Sequence, residues 1–398
     1  MNSKPNKWHN IELKNIAIEI KDRVTSEAGE PVYSVTKHIG FVPSLEYFKK
    51  RIASRDVKGY KKVQKNQFAY ATIHLDEGSI GLLTDVDSVI ISPMYTVFQV
   101  NEKIVYPPYF IRFMKSPAMV AGYARLGKGS VHRRKAISFS TLSSVKIPLP
   151  PLEEQKRIAA ILDKADSIRR KRQQAIQLAD EFLRSVFLDM FGDPVVNPKG
   201  WEVQKLCKIT DILTGYAFKS SEYVGLEDGI RLCRGVNILP NFIDWKDTAY
   251  WHKNNFDISE RFKLMVNDIV IAMDRPWISS GFKIAIIKPD DLPALLLQRV
   301  ARIRAYKKNL QKYLFFVIQH PAFKLHSNLT ETTVPHISPK DLHSYSVPIP
   351  DTKSINSFNL IIDKIQKDEG INNKQREAAQ QAEQLFNSLA QRAFSGKL

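Results

Sequence analysis

The residue groups that could perform chemistry in this chain each stop one feature short of a working site. Gly122-Tyr123-Ala124-Arg125-Leu126-Gly127-Lys128 fits the first seven places of a phosphate-binding loop. The eighth place needs Ser or Thr to hold magnesium, but Gly129 stands there and Ser130 comes one place late. Such a loop also follows a strand, whereas residues 109–126 read as helical, so a turn with basic residues is the better description. Tyr106-Pro107-Pro108-Tyr109 has the diproline of an amino-methyltransfer loop. There an Asn or Asp in first place accepts a hydrogen bond from the target amino group; Tyr106 cannot do so in that geometry, and no Gly-rich nucleotide loop accompanies it. The diproline reads as a loop before a helix. Pro289-Asp290 and Pro350-Asp351 lack the Glu/Asp-x-Lys partner of a metal-dependent nuclease. The nine histidines show no His-Glu-x-x-His spacing. Cys207 and Cys233 are too few for a disulfide framework and lack paired zinc-site spacing, so they read as reduced, buried thiols. No catalytic constellation emerges, which favours a binding protein without a cofactor or metal of its own.

The cations point to what is bound. Lys plus Arg number 59 against 41 Asp plus Glu, a formal charge of +18, which suits a polyanionic partner. Phe48-Lys49-Lys50-Arg51, Arg55, Lys58-Gly59-Tyr60-Lys61-Lys62 and Lys65-Asn66 interleave aromatics with cations. Lys and Arg there suit phosphates, and Arg and Asn can also read base edges with two hydrogen bonds. His132-Arg133-Arg134-Lys135 is a second candidate of the same kind. Arg231, Arg234 and Asn237 in one stretch, and Asp274-Arg275-Pro276-Trp277 in another, put polar readers next to turn residues. A solvated charged face or a structural ion pair would account for any single one of them.

These candidates are carried by a chain that repeats itself. Residues 137–150, ISFSTLSSVKIPLP, answer to residues 337–350, ISPKDLHSYSVPIP, at an offset of 200. Ile161, Asp163 and Lys164 recur as Ile361, Asp363 and Lys364, and at offset 203 Ser185 and Phe191 recur as Ser388 and Phe394. Tyr109 with Ser116-Pro117-Ala118 is echoed by Tyr313 with His320-Pro321-Ala322. The order is globular, helical, globular, helical, with approximate two-fold symmetry within one chain.

Boundaries follow at 1–150, 151–192, 193–350 and 351–398. In the first helical segment apolar residues at 158, 161, 162, 165, 168, 175, 176, 179, 182, 183, 186, 187 and 190 form a stripe close to a heptad seam. Pro150-Pro151 marks its entry and Gly192-Asp193-Pro194 its exit. The second segment has stripes at each end, but Asp368-Glu369-Gly370-Ile371-Asn372-Asn373 between them predicts a kink or loop. Two such helices from a two-fold repeat should pack antiparallel. A helix of about 36 residues spans about 54 Å, more than one turn of DNA. The globular segments alternate short β-like runs, such as Ser88–Ser92, Tyr95–Val100, Asp268–Met273 and Phe282–Ile287, with helical stretches at Tyr109–Met114 and Tyr313–Gln319. The fold class is therefore α+β: two mixed α/β globular domains and two long antiparallel, coiled-coil-like helices. With 43% hydrophobic residues the chain can bury real cores. Neither a signal peptide nor a run of about 18 apolar residues is visible, so a soluble, reducing, cytoplasmic setting without membrane contact is expected.

At this point the chain resembles a known family. Ile147-Pro148-Leu149-Pro150-Pro151-Leu152-Glu153-Glu154-Gln155-Lys156-Arg157-Ile158 looks like the start of the central region of Type I restriction–modification specificity subunits, the HsdS family. Gly40-Phe41-Val42-Pro43-Ser44 with Tyr47-Phe48-Lys49-Lys50-Arg51, and Ser92-Pro93-Met94-Tyr95, look like one of that family's target recognition domains. Ile271-Ala272-Met273-Asp274-Arg275-Pro276 and Gln298-Arg299-Val300 look like another. The second copy departs from the helix motif, since Asp351-Thr352-Lys353-Ser354-Ile355 lacks Glu-Glu-Gln.

The resemblance implies that each recognition domain reads one half of a bipartite site in double-stranded DNA and that the helices set the gap. It implies docking of two modification subunits per chain, which carry S-adenosylmethionine and methylate adenine, and of restriction subunits that use ATP and magnesium to translocate and cut. Glu154, Gln155, Arg157, Ile158, Phe182 and Phe386 on the helices are the candidates for subunit docking. Two other readings compete: a stand-alone DNA-modifying enzyme with degenerate motifs, and a pseudo-dimeric repressor. The first would bind S-adenosylmethionine or magnesium alone; the second should show helix-turn-helix spacing, which is not found.

Overall fold

The computed structural model describes residues 8–24, 29–48, 57–127, 136–253, 260–327, 335–368 and 374–398. The first segment runs β1 His9–Glu12, β2 Ala17–Ile20, β3 Val32–Thr36, β4 Gly40–Pro43, α1 Ser44–Phe48, β5 Lys61–Gln64, β6 Phe68–Ala71, β7 Ile80–Leu82, β8 Ser88–Ile91, β9 Tyr95–Val100, α2 Pro107–Met114, α3 Pro117–Leu126, α4 Phe139–Leu142 and β10 Lys146–Leu149. The 40-residue helix α5, Leu152–Phe191, follows. The second segment runs β11 Glu202–Lys205, α6 Leu206–Ile209, β12 Thr210–Thr214, β13 Gly229–Cys233, β14 Ile238–Leu239, β15 Phe242–Ile243, β16 Ala249–His252, β17 Ile269–Ala272, β18 Trp277–Ile278, β19 Gly281–Phe282, β20 Ile284–Ile286, β21 Ala294–Leu296, β22 Val300–Ala305, α7 Leu310–Gln319, α8 Pro321–His326, α9 Pro339–Ser344 and β23 Ser346–Ile349. Helices α10, Thr352–Asp368, and α11, Lys374–Phe394, complete the chain; the expected kink at Gly370 lies outside the described residues.

Contacts gather the chain into two units: residues 1–174 with 376–398, and residues 175–375. The first unit thus takes the N-terminal half of α5 together with α11. The second takes the C-terminal half of α5 together with α10.

Both units use one strand plan. The first has a sheet of order β2-β9-β6-β7 and the second a sheet of order β12-β22-β17-β20. Beside these lie β4-β3-β8-β5 and β16-β13-β21, each with a parallel pair, β3 with β8 and β13 with β21. In each unit a strand near the start closes on one near the end, β1 on β10 and β11 on β23. The central strands are buried on both faces, which is why they read as unbroken apolar runs. In β17, Ile269 and Ile271 join the core that includes α7, while Val270 and Ala272 face a second core with Leu296 and Val300.

Proline and tyrosine tie the helices to this frame. Tyr109 of α2 donates its hydroxyl to the carbonyl of Pro148 at 2.6 Å, and Tyr313 of α7 donates to Pro348 at 2.6 Å. Burial pushes both phenols well above their ordinary pKa, so they remain donors. Residues 117–126 form a helix, α3, with Ser116 as its cap, so no strand leads into Gly122–Gly127 as a phosphate loop would require.

Within the first unit α5 and α11 run antiparallel. Arg157 reaches the Leu398 carbonyl at 3.3 Å, Arg169 reaches Glu383 at 2.9 Å and Arg172 reaches the Ala378 carbonyl at 2.6 Å, so the numbering falls on one helix as it rises on the other. Helix α5 ends where Gly192 takes φ +77°, a left-handed cap that a side chain would strain; an added Cβ would also sit 2.4 Å from the Pro198 ring.

Candidate nucleic-acid interface

In the first unit Lys49, Lys50, Arg51, Arg133 and Arg134 lie outside the described residues. The remaining basic candidates surround β5. Lys61 is half-buried and donates Nζ to the Tyr95 carbonyl at 2.5 Å. Burial lowers its pKa, with Glu19 opposing and Arg23 and Lys21 adding to the shift. Lys62 pairs with Glu30 at 2.5 Å while keeping its side chain 41% exposed. Lys58 and Lys65 are exposed. Asn66 turns the chain after β5 at φ 66° and donates its amide to Glu102 at 3.4 Å. This stretch therefore offers ammonium groups on a fixed strand, the arrangement that positions a phosphate backbone.

Next to β5 is a notch of about 280 Å³, lined in part by Tyr33, Ser34, Thr72, His74, Met94 and Tyr95. Sequence reading missed it because its walls come from separate strands joined only by register.

In the second unit the named readers divide by role. Asn237 is 1% exposed, and its amide is fully committed: it accepts from Arg234 N at 3.0 Å and donates to the carbonyls of Asp244 and Asp247 at 2.9 Å each. It staples its own loop instead of facing solvent as a reader would. Arg234 bonds Asp247 through both the carbonyl, at 2.6 Å, and the carboxylate, at 3.1 Å. Arg231 lies over the Trp245 ring at 5.3 Å and donates to the Asp290 carbonyl at 2.8 Å. Arg275 is exposed at φ 44°.

Beside Arg275 and Asp274 the structure adds two residues that were not singled out as readers, Arg299 and Lys283. Arg299, at φ 65°, donates Nε and Nη2 to the two oxygens of Asp274. Lys283 is half-buried nearby, its pKa lowered first by burial, with Asp274 opposing and Arg275 reinforcing. The sequence shows Asp274 and Arg299 as 25 residues apart, and only the β17–β22 pairing brings them together.

On the helices, the half-buried Glu154 pairs with the exposed Arg157 at 2.7 Å, and Phe182 is 54% exposed, so Arg157 and Phe182 are available to a partner. Phe386 lies under the Arg169 guanidinium at 5.4 Å. Two docking candidates are placed otherwise. Gln155 is 1% exposed, accepts from Tyr106 N at 2.8 Å and donates to the carbonyls of Ile104 and Pro150 at 2.9 Å each. Ile158 is fully buried in the core of the first unit. Both anchor α5 to its own domain, because a helix that starts against a globular core must satisfy and bury its first turns there.

Among the described residues no group of three or more His, Cys, Asp or Glu could hold a metal ion, and no helix is long and apolar enough to cross a membrane. Burial pushes the Cys233 thiol far up, away from any nucleophilic role.

The family model described as the Type I restriction modification DNA specificity domain matches residues 5–178 and again residues 198–378. The Type I restriction enzyme MjaVIII specificity subunit of Methanocaldococcus jannaschii is 29% identical over 367 residues, covering 87% of this chain and 83% of that protein. The Type I restriction enzyme EcoAI specificity subunit of Escherichia coli is 38% identical over 165 residues, covering 39% of this chain and 26% of that protein. In fold, the chain is similar to the crystal structure of the Type-I restriction-modification system S subunit from M. genitalium, with TM-score 0.58 and 13% identity over 98% of this chain and 97% of that one. With two successive domain matches spanning most of its length, the chain belongs to the Type I restriction modification DNA specificity domain family.

Proposed function

We propose that this chain selects the DNA sequence on which a Type I restriction–modification assembly acts. Each unit reads one half of a bipartite site in double-stranded DNA. The exposed faces of α5, α10 and α11 dock two modification subunits, and restriction subunits join the full complex. The chain itself is a non-catalytic reader; S-adenosylmethionine, ATP and magnesium belong to its partners, and the complex works in the cytoplasm. One observation carries this reading: a single strand plan, matched twice by the specificity-domain family, bears different surface chemistry in its two copies. A frame used twice with different surfaces suits the reading of two different half-sites.

The test is co-purification with the modification subunit, followed by genome-wide mapping of methylated adenine in cells with and without the chain. A bipartite methylated motif that disappears with the chain supports the proposal. A stable complex with no change in methylation refutes it for this chain, and no complex with no change returns the repressor reading.

A further inference from the structure

The shared strand plan allows residues of one unit to be matched with residues of the other. Ala71 faces Tyr95 across β6 and β9, and Ala272 faces Val300 across β17 and β22. Ile137 N donates to the Thr72 carbonyl at 2.9 Å, and Ile337 N donates to the Met273 carbonyl at 2.8 Å. By these registers Thr72 corresponds to Met273, Ile73 to Asp274, His74 to Arg275 and Met94 to Arg299.

The supporting bonds are repeated, but the rim they support is not. In the first unit the rim is Met94, 61% exposed, beside the notch of Tyr33, Ser34 and Thr72. In the second it is the Asp274–Arg299 pair with Arg275 exposed alongside. A rim kept for folding would repeat its chemistry, as Tyr109 and Tyr313 do on Pro148 and Pro348. This one puts an exposed methionine, Met94, where the other copy has the Arg299 fork.

The fork is already aimed. Asp274 Oδ2 accepts from Arg299 Nε at 2.8 Å and Oδ1 accepts from Nη2 at 2.5 Å, both on one edge of the guanidinium. The outer edge keeps Nη1 and the second Nη2 hydrogen, two donors side by side. That pair matches the O6 and N7 acceptors of guanine in the major groove; adenine presents a donor in place of O6. The ion pair fixes the plane of the guanidinium, so less side-chain freedom is lost on binding. Arg299 at φ 65° and Arg275 at φ 44° hold left-handed backbone, which in non-glycine residues is strained and concentrates at ligand clamps. The Arg299 side chain is nonetheless 55% exposed, so the strain presents it to solvent and does not bury it.

We propose that Arg299, held in plane by Asp274, reads one guanine of the half-site met by the second unit. The assignment rests on the DNA-reading function proposed above.

The test maps methylated-adenine motifs in cells that carry the full chain and its modification subunit, comparing the natural chain with Arg299→Ala, Arg299→Gln and Asp274→Asn. In Arg299→Ala one G·C position of one half-site becomes degenerate, with discrimination there falling roughly ten- to hundredfold, and the other half-site stays intact. Asp274→Asn relaxes the same position to a smaller extent. A motif unchanged by Arg299→Ala overturns the assignment. So does uniform loss of methylation at every site in a variant that still co-purifies and melts like the natural chain, since that marks a phosphate contact. Should Arg299→Ala fail to fold, Arg299→Gln decides: relaxation at one G·C position supports the assignment, and an unchanged motif sinks it. If the natural chain yields no bipartite motif at all, the function proposed above fails first and this assignment falls with it.

Discussion

Phe394, at the end of the last helix, packs edge-on against Tyr109 of the first globular segment, ring centroids 5.7 Å apart, and against Phe113 at 5.3 Å. Phe191, at the end of α5, does the same to Tyr313 of the second segment at 4.9 Å, and to Phe358 at 5.2 Å. Each helix end therefore completes the unit belonging to the other copy of the repeat. Phe191→Ala should cost the second unit about 3–4 kcal/mol, since Phe191 is almost fully buried. Phe394→Ala, at a partly buried site, should cost the first unit about 2 kcal/mol. Denaturant unfolding of the full chain with proteolysis of each unit as readout checks this; equal loss in both units from either change would contradict the division.

Asp166 is the hub of the first unit's helical packing. It is 2% exposed, accepts from Arg112 of α2 at 3.0 Å and from Arg169 at 2.7 Å, and forms an ion pair with Arg170 at 3.0 Å, while Arg169 continues to Glu383 of α11. Burial alone would raise its pKa, but the hydrogen bonds from Arg169 and Arg112, with the charges of Arg112 and Arg170, carry the net shift downward. A carboxyl with lowered pKa contributes stability that is present above its unfolded pKa and lost as pH falls through the folded one. Melting temperature should therefore fall as pH drops below about 4, and Asp166→Asn should flatten that fall. At pH 7 the variant should lose about 2 kcal/mol, a figure discounted because the arginines are partly exposed.

Lys115 works against this cluster. Burial, then Arg112 and Arg170, lower its pKa to about 8, with Asp166 opposing. The unfolded chain holds the proton more tightly, so folding is penalised below pH 8 and the penalty fades as pH rises towards the unfolded value. Lys115→Met should raise the melting temperature at pH 7, and its advantage over the natural chain should shrink between pH 8 and 10. A constant advantage across that range would show that packing, not charge, is responsible.

Much of this organisation was legible because the repeat carries geometry. Pro148 and Pro348 recur at matching places in the two copies, and each place receives a tyrosine hydroxyl on its backbone carbonyl. Asp163 and Asp363 recur because each binds a cation from the neighbouring helix, Arg112 and Lys312 respectively. Of the stripe on α5, Ile158, Leu162, Leu183 and Phe187 are buried, while Ile168 and Phe182 are 43% and 54% exposed; periodicity shows which face is apolar, not how far a neighbouring segment covers it. Gln155 read as surface because its type is polar, and it is buried because three backbone groups satisfy it. The stretches holding Asp274 and Arg299 stood out together in the family resemblance, but their contact did not, since strand register alone makes them neighbours.

The β5 lysines separate phosphate contact from support of the notch. Lys62 and Lys65 project from the strand and the turn after it, with Glu30 as the partner of Lys62. A lysine that meets a phosphate releases counterions whatever the base sequence. Lys62→Ala and Lys65→Ala should each weaken binding to all sequences alike and reduce the slope of log affinity against log salt by about 1. Lys61→Ala acts through another route, because Lys61 holds the carbonyl of Tyr95, a wall of the notch. It should leave the slope nearly unchanged and lower the stability of the first unit. Fluorescence anisotropy of the assembled complex on matched and mismatched duplexes, titrated with salt, measures both. If Lys62→Ala altered sequence preference and left the slope intact, Lys62 would be a base reader and the phosphate assignment of this strand would fall.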